Sequence, residues 1–325
     1  MEKYNIDEIL EQLEPDCTKR YHEYEYESSV DEDFRTHACL FNDLPVELQN
    51  DRDFVLKAVE VNGAIYEYLS DELKEDEEIA IMALNNYSCE CYTNLPYELF
   101  DNEKVVEAAI KNDGLGAKVL WCVSDRLKDD KDIVMLAVSR STGVEFFYED
   151  RPEDGYTYND ALCYASERLR DDKDVVLLSV ENNPDSLESA SARLQNDYDV
   201  VLTAVKGNAH ALKYASEDLR GNKELVLIAA NSYFSSIYDY YDEGLGGEEL
   251  EYAVNIEDSI LPYISDELKN DRDVILAIVK GRPWAFCNIP DKFKDDYDIA
   301  LIAFKENDYL IEYASERVKK LLKNQ

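Results

Sequence analysis

The chain has 325 residues, of which 34 are Lys or Arg and 72 are Asp or Glu, so its formal net charge at pH 7 is −38. This charge repels phosphate and no basic stripe compensates for it, which disfavours direct binding to DNA or RNA. No apolar stretch is long enough to cross a bilayer, and seven cysteines without a secretory leader predict a reducing, cytoplasmic location.

Residues 1–43 are predicted to form an N-terminal helical cap. Ile6, Leu10 and Leu13 follow a helical spacing, and the stretch from Cys39 to Pro45 is similar to the end of the repeats that follow it. Residues 1–35 hold 12 acidic and 4 basic residues, so the cap carries part of the negative charge.

A repeat of about 25 residues recurs from residue 44 to residue 320, followed by a short C-terminal tail at 321–325. Its clearest copies are ASERLRDDKDVVLLSVENN, ASARLQNDYDVVLTAVKGN and ASEDLRGNKELVLIAAN. The markers of the period, each just before an apolar run, are Asp51, Asp76, Asn102, Asp130, Asp172, Asp197, Asn222, Gly247, Asp271 and Asp296. The sequence therefore predicts about ten repeats.

The spacing inside a repeat predicts two short helices. Phe54, Val55 and Ala58 lie on one helical face, and a second apolar run begins at Ile65. An acceptor such as Asn50, or the residue after it, is placed to cap the first helix. A Ser or Pro, such as Ser70, suggests a further one-turn helix. Since each helix is too short to be stable alone, the prediction is an all-α fold, an elongated and curved α-solenoid.

Motifs such as LKNDRDVILAIVK and YASERLRDDKDVVLLSV resemble the consensus of a repeat family found in bacterial and large-virus proteins, the domain of unknown function numbered 4116. The resemblance covers roughly residues 44–320. It implies an α-helical repeat and no known chemistry, and a likeness of fold does not transmit function.

Two interruptions of the repeat are the candidate binding segments: an insertion at 144–160 and a divergent stretch at 232–249. Residues 145–160 hold 6 acids and 1 base, and residues 232–249 hold 5 acids and no base. Tyrosine offers a large amphipathic contact area, and carboxylates match Lys and Arg of a partner. The candidate partner-binding residues are Tyr148, Glu149, Asp150, Glu153, Asp154, Tyr156, Tyr158, Asp239, Tyr240, Tyr241, Asp242, Glu243, Glu248 and Glu249.

Catalytic and metal-binding patterns are weak. The three histidines lie in no recognisable nucleophile or metalloprotease motif, and no phosphate-binding loop is present. Cys89-x-Cys91 and His37-x-Cys39 could be halves of a zinc site, but no second CxxC-like pair accompanies them, and no metal or other cofactor is predicted.

Four of the seven cysteines and the two tryptophans are predicted to lie in the core. Cys39, Cys122, Cys163 and Cys287 fall in or beside apolar runs. For Trp121 and Trp284 the prediction is core packing, with an anchor for a partner on the concave face as the alternative.

The predicted function is a non-catalytic protein-interaction module that binds a basic protein surface. One alternative is a nucleic-acid mimic, of the viral or bacterial anti-defence or effector type, that inhibits a DNA- or RNA-binding protein. A second alternative is an enzyme or ligand-binding protein with a pocket at the 144–160 insertion.

Overall fold

The computed structural model describes residues 4–15, 35–86, 94–113, 116–141, 160–232 and 259–323. All regular structure in these ranges is helical, with no strand among them, which confirms the predicted all-α class. The chain divides into two compact units, Met1–Ser166 and Glu167–Gln325.

The helices of seven residues or more in the described ranges are α1 Ile6–Leu13, α2 Arg52–Val61, α3 Glu77–Asn86, α4 Glu103–Asp113, α5 Gly116–Cys122, α6 Lys131–Val138, α7 Lys173–Asn182, α8 Tyr198–Gly207, α9 Lys223–Asn231, α10 Arg272–Gly281, α11 Tyr297–Glu306 and α12 Glu316–Lys323. Nine of those described helices start the 25-residue repeats and are called repeat helices below: α2, α3, α4, α6 and α7–α11.

Each repeat helix begins at an acidic or amide residue that caps it. In α8 the carboxylate of Asp197 accepts hydrogen bonds from the backbone N–H groups of Asp199 and Val200, at 3.1 and 3.2 Å. These N–H groups have no partner within the first turn, and the carboxylate also faces the positive end of the helix dipole. The caps are Asp51, Asp76, Asn102, Asp130, Asp172, Asp197, Asn222, Asp271 and Asp296. The cap therefore falls on the period marker, one residue after the Asn50-type position.

Four of the nine repeat helices, α2, α7, α8 and α11, end at an extended Asn that caps the next turn. Asn208 follows α8 with φ −147° and ψ 117°, and its side-chain oxygen accepts from the N–H of His210 at 3.0 Å. The next segment, Ala209–Tyr214, is a 3-10 turn. The second short helix predicted for each repeat is therefore a 3-10 helix in most described repeats, which buries the same apolar residues over a short span. In the described ranges, α5 alone takes the α-helical form in this place.

The predicted one-turn helix is confirmed in six of the described repeats. Val46–Gln49 follows Pro45, Asp71–Lys74 follows Ser70, and Asp291–Lys294 follows Pro290. A Ser or Pro in extended conformation thus starts each of these short helices.

The core lies between the repeat helices and the 3-10 turns. In α8 the third, fourth, seventh and eighth residues, Val200, Val201, Ala204 and Val205, are fully buried, and Leu212 of the following turn packs in the same layer. Neighbouring repeat helices contact each other in chain order: α2, α3, α4 and α6 in the first unit, and α7 to α11 in the second. Ten-residue helices are marginal alone, so this packing supplies their stability.

The predicted repeat at Gly247 does not separate its neighbours. Gly247 lies outside the described residues, but α9 packs directly on α10. Lys223 at the start of α9 pairs with Asp271 at a sequence separation of 48, whereas the equivalent Lys173–Asp197 pair has a separation of 24. The described residues contain nine repeat helices, and the tenth predicted repeat, at Gly247, lies outside them.

The two ends of the chain are covered by α1 and α12. The spacing of Ile6, Leu10 and Leu13 correctly predicted α1, and Asn62 after α2 donates its side-chain N–H to the Leu13 carbonyl at 3.1 Å. At the other end, α12 buries Val318 and Leu322 and packs on α11.

Candidate interaction surface

The predicted partner-binding residues belong to segments outside the described residues. Residues 142–159 contain Tyr148, Glu149, Asp150, Glu153, Asp154, Tyr156 and Tyr158, and residues 233–258 contain Asp239, Tyr240, Tyr241, Asp242, Glu243, Glu248 and Glu249. The described structure fixes where both segments join the repeats.

Both segments join the repeat at the same point, between a repeat helix and its following turn. In the first unit, the Ser141 hydroxyl oxygen after α6 accepts from the N–H of Ala161 at 3.3 Å, and Asp160 caps the turn Ala161–Tyr164. In the second unit, Ser259 fills the same capping role, because its hydroxyl oxygen accepts from the N–H of Leu261 at 3.2 Å. Each unit therefore carries one such segment at an equivalent position.

Many carboxylates of the repeats themselves are used to join one repeat to the next. In the cap ladder, a Lys or Arg at the first position of one repeat helix contacts the cap and the second residue of the next helix. Lys173 Nζ lies 2.9 Å from Asp197 and 3.0 Å from Asp199. The other cap-ladder contacts are Arg52 with Asp76 and Glu78, Lys223 with Asp271 and Asp273, and Arg272 with Asp296 and Asp298.

A second contact, the serine clasp, joins successive one-turn segments. The Ser191 hydroxyl donates to the carboxylate of Asp171, which also accepts from Arg193 Nε at 3.0 Å. The Ser191 backbone N–H donates to the Arg170 carbonyl at 2.9 Å. Related side-chain contacts join Ser124 and Arg126 to Asp101, Ser166 to Asp129, Ser216 to Asn196, and Ser315 and Arg317 to Asp295.

These contacts favour the ionised carboxylates. The Arg52 guanidinium holds the pKa of Asp76 below its usual range, and Lys223 does the same for the pKa of Asp271. Hydrogen bonds from Arg317 and then Ser315 lower the pKa of Asp295. The carboxylates of the cap ladder and the serine clasp are therefore structural, although solvent screening weakens each exposed pair.

The structure corrects the predicted burial of Trp121. Trp121 at the end of α5 is 65% exposed, and Tyr97 in the same unit is 83% exposed. Trp284 is half-buried, with its ring centroid 6.5 Å from that of Tyr309, which is in turn 6.2 Å from that of Tyr313. Aromatic side chains thus lie on the surface, both in 3-10 turns (Tyr97 and Trp284) and in α5 (Trp121), as well as in the core.

The predicted core positions of the cysteines are also wrong. Cys39, Cys122 and Cys163 are exposed, and Cys287 is half-buried. Cys163 and Cys287 lie in 3-10 turns, where successive residues point in different directions, so a cysteine beside an apolar run can face solvent. Leu162, for example, is fully buried and its neighbour Cys163 is not.

His210 is the titratable side chain most affected by its surroundings in the described part of the second unit. Burial, with Lys213 and Arg282 nearby, lowers the pKa of His210 to about 4. Its ring makes an edge contact with Tyr263 at 6.3 Å between centroids, so His210 is neutral at pH 7 and packs as an aromatic residue.

Within the described ranges, no three His, Cys, Asp or Glu side chains are grouped so that they could hold a metal ion. Cys89 and Cys91 lie outside those ranges. None of the described helices has the length and hydropathy that a bilayer span requires.

Comparison with family models gives seven tandem matches to one family, described as Domain of unknown function (DUF4116). The matched residues are 32–74, 51–100, 102–148, 154–195, 197–245, 250–294 and 275–319. No curated protein and no solved structure matches the chain. The resemblance inferred from the repeat motifs is therefore confirmed.

Proposed function

The chain belongs to the DUF4116 family, a domain of unknown function, and we propose that it is a non-catalytic interaction module that presents two acidic, tyrosine-rich segments to a basic protein surface. The observation that carries the proposal is the equivalent placement of the two segments. Each segment lies between a repeat helix and the following turn, and Asp160 or Ser259 caps that turn.

The distribution of charge supports the same proposal. Residues 259–323 hold 12 acids and 11 bases, so the end of the second unit is close to neutral. Residues 232–249 hold 5 acids and no base. Residues 35–141, by contrast, hold 22 acids and 11 bases, so the repeats of the first unit carry an excess of negative charge as well. Such a charge attracts Lys- and Arg-rich surfaces and speeds their encounter.

The test is a charge-neutralised variant of the second segment. Asp239, Asp242, Glu243, Glu248 and Glu249 are replaced by Asn or Gln, and the affinity of a partner, captured from cells and identified by mass spectrometry, is measured by calorimetry. We expect weaker binding with an unchanged helical circular dichroism signal and melting temperature.

The matched control removes five exposed acids from the repeats: Glu188, Glu217, Asp218, Glu306 and Asp308. Equal loss of binding in the control would show that only total charge matters, and would contradict the role proposed for the segment.

Nucleic-acid mimicry is the less favoured form of the proposal. A mimic of a phosphate backbone needs a row of uncompensated charges. The cap carboxylates of the repeat helices are instead paired and largely covered, as in Lys173 with Asp197 and Arg272 with Asp296. Competition by DNA or RNA for the captured partner would reverse this preference.

The enzyme or ligand-binding alternative stays a hypothesis about the 144–160 segment. A closed cavity beside that segment, found by an experimental structure, or a metal found by elemental analysis would favour it.

We also infer that the repeats build an α-solenoid. In both units each repeat helix packs on the next in chain order, and the cap ladder recurs from repeat to repeat, for example at Arg52–Asp76 and Arg272–Asp296. Small-angle scattering should give a radius of gyration above the roughly 20 Å expected for a compact domain of this length.

A further inference from the structure

The repeat helices of the second unit carry aliphatic side chains that the core leaves partly uncovered. In α7–α11 the third, fourth and seventh residues are buried, while the fifth and sixth are half-buried. These half-buried residues form the aliphatic stripe: Leu177, Leu178, Leu202, Thr203, Leu227, Ile228, Leu276, Ala277, Leu301 and Ile302. Eight of the ten are Leu or Ile, although a surface position on a helix does not require an apolar residue.

Charged rows flank the aliphatic stripe on both sides. The second, fifth or sixth, and ninth residues of a helix lie on one face, so each helix contributes to three parallel rows. The second residues are all acidic and exposed, and form the acidic row: Asp174, Asp199, Glu224, Asp273 and Asp298. The ninth residues are Glu181, Lys206, Asn231, Lys280 and Lys305, also exposed. Because α7 to α11 pack side by side, the rows run across all five helices.

We propose that the aliphatic stripe binds an amphipathic α-helix of a partner protein, with Lys or Arg along the edge that meets the acidic row. The basic character of this partner rests on the proposed function, and the helical form and the binding position are additions to it. Contiguous apolar surface bordered by polar residues is typical of such interfaces.

The chemistry of the stripe favours a helix over an extended peptide. Leu and Ile side chains offer no hydrogen-bond partner to a peptide backbone, and an unpaired backbone group buried against them is costly. A helix satisfies its own backbone N–H and C=O groups. The carboxylates of Asp199, Asp273 and Asp298 remain more than 70% exposed although each contacts a Lys or Arg of the preceding helix, so they are still accessible to a partner's cations.

The dimensions set the length of a suitable probe. Packed helices lie about 8–10 Å apart, so the four spacings between five helices give the stripe a length of roughly 32–40 Å. A helix rises about 1.5 Å per residue, so an 18-residue peptide extends about 27 Å and would cover four of the five helices.

The first experiment compares three labelled 18-residue peptides of Leu and Lys on the unaltered protein by fluorescence anisotropy. One has Leu at helical spacing, one alternates Leu and Lys, and one has the same composition without periodicity. We expect the helical peptide to bind at least tenfold more tightly than the other two. Equal affinities would overturn the proposal, because charge alone would then explain binding.

The second experiment places the peptide on the stripe. Leu202→Gln combined with Leu227→Gln should weaken the helical peptide at least tenfold, whereas Leu321→Gln, which alters an exposed leucine of α12 outside the stripe, should not. Circular dichroism melts confirm folding of each variant, and the peptide comparison stands by itself if the double variant does not fold.

The charge-neutralised variant of residues 239–249 separates this inference from the proposed function. If that variant loses the peptide and the leucine variant retains it, the segment binds the peptide and the inference fails. If only the leucine variant loses the peptide, and the captured partner binds the charge-neutralised variant as tightly as the unaltered protein, the inference stands and the proposed function fails.

Discussion

The direct packing of α9 on α10 is tested most sharply by adding one methyl group at Gly281. A Cβ atom on Gly281, the last residue of α10, would lie 2.3 Å from the backbone carbonyl oxygen of Ala230 in α9. An ordinary contact needs at least 3.4 Å, so the two helices must separate by about 1 Å. A backbone carbonyl cannot rotate away as a side chain can. Overpacking of this kind costs about 1–3 kcal/mol, and the gain in helix propensity from Gly to Ala offsets at most about 1 kcal/mol.

Two other glycines give a graded control for Gly281→Ala. A Cβ on Gly207 would meet the ring carbon Cγ of Pro184 at 2.6 Å, and the ring can change its pucker. On Gly221 the nearest atom would be the Asp218 carbonyl oxygen at 3.4 Å, an ordinary contact. We therefore expect net destabilisation of about 1–2 kcal/mol for Gly281→Ala, less for Gly207→Ala, and none for Gly221→Ala.

Urea denaturation followed by circular dichroism measures this order through the transition midpoints. A Gly281→Ala variant as stable as Gly221→Ala would refute the direct contact between α9 and α10. It would also restore the possibility that residues 233–258 separate these two helices.

Three further predictions concern the caps, the histidine and the exposed tryptophan. Asp197→Ala should destabilise the protein by about 1–2 kcal/mol in urea denaturation. Asp197→Asn should cost less than half of that, because Asn keeps the cap and loses only the exposed ion pair. Equal effects of the two substitutions would show that the stability comes from the charge and not from the cap. Since the pKa of His210 is lowered to about 4 from 6.5, its contribution to stability is complete above about pH 6.5 and is lost as the pH falls toward 4. The stability of His210→Gln should therefore depend less on pH in this window, and parallel curves for variant and wild type would contradict the assignment. Trp121→Ser should change the free energy of unfolding by less than about 0.5 kcal/mol, and a large destabilisation would mean that Trp121 is covered. The exposure of Trp121 is checked by iodide quenching of the wild-type fluorescence that the variant lacks.

The helices, their caps and the period were predictable because they rest on short-range rules. Val200 and Val201 followed by Ala204 define a helical face, and Asp197 is a strong cap wherever a helix follows it. The contacts of the cap ladder and the serine clasp were not predicted, although the sequence contains a signal for the cap ladder. A Lys or Arg comes directly after many of the caps, as Lys173 does, and its partner Asp197 recurs one period later.

The exposure of particular residues in the turns was not predictable in the same way. A run of six residues such as 209–214 does not distinguish an α-turn from a 3-10 turn, and the two present different side chains to solvent. Trp121 and Cys163 therefore could not be assigned to a face. The candidate segments at 144–160 and 232–249 stay predictions, because composition suggests a binding role without specifying a conformation.

The shared point of departure of the two segments has a practical consequence for engineering. Nearly twenty residues are spliced in between Ser141 and Asp160, yet the capping hydrogen bonds of the next turn are formed. Gly207 and Asn208 lie at the equivalent position of a repeat that has no insertion, so a foreign loop or small domain could be inserted between them. Different sequences could thus be inserted at this position of a repeat without redesign of the repeat helices and turns on either side.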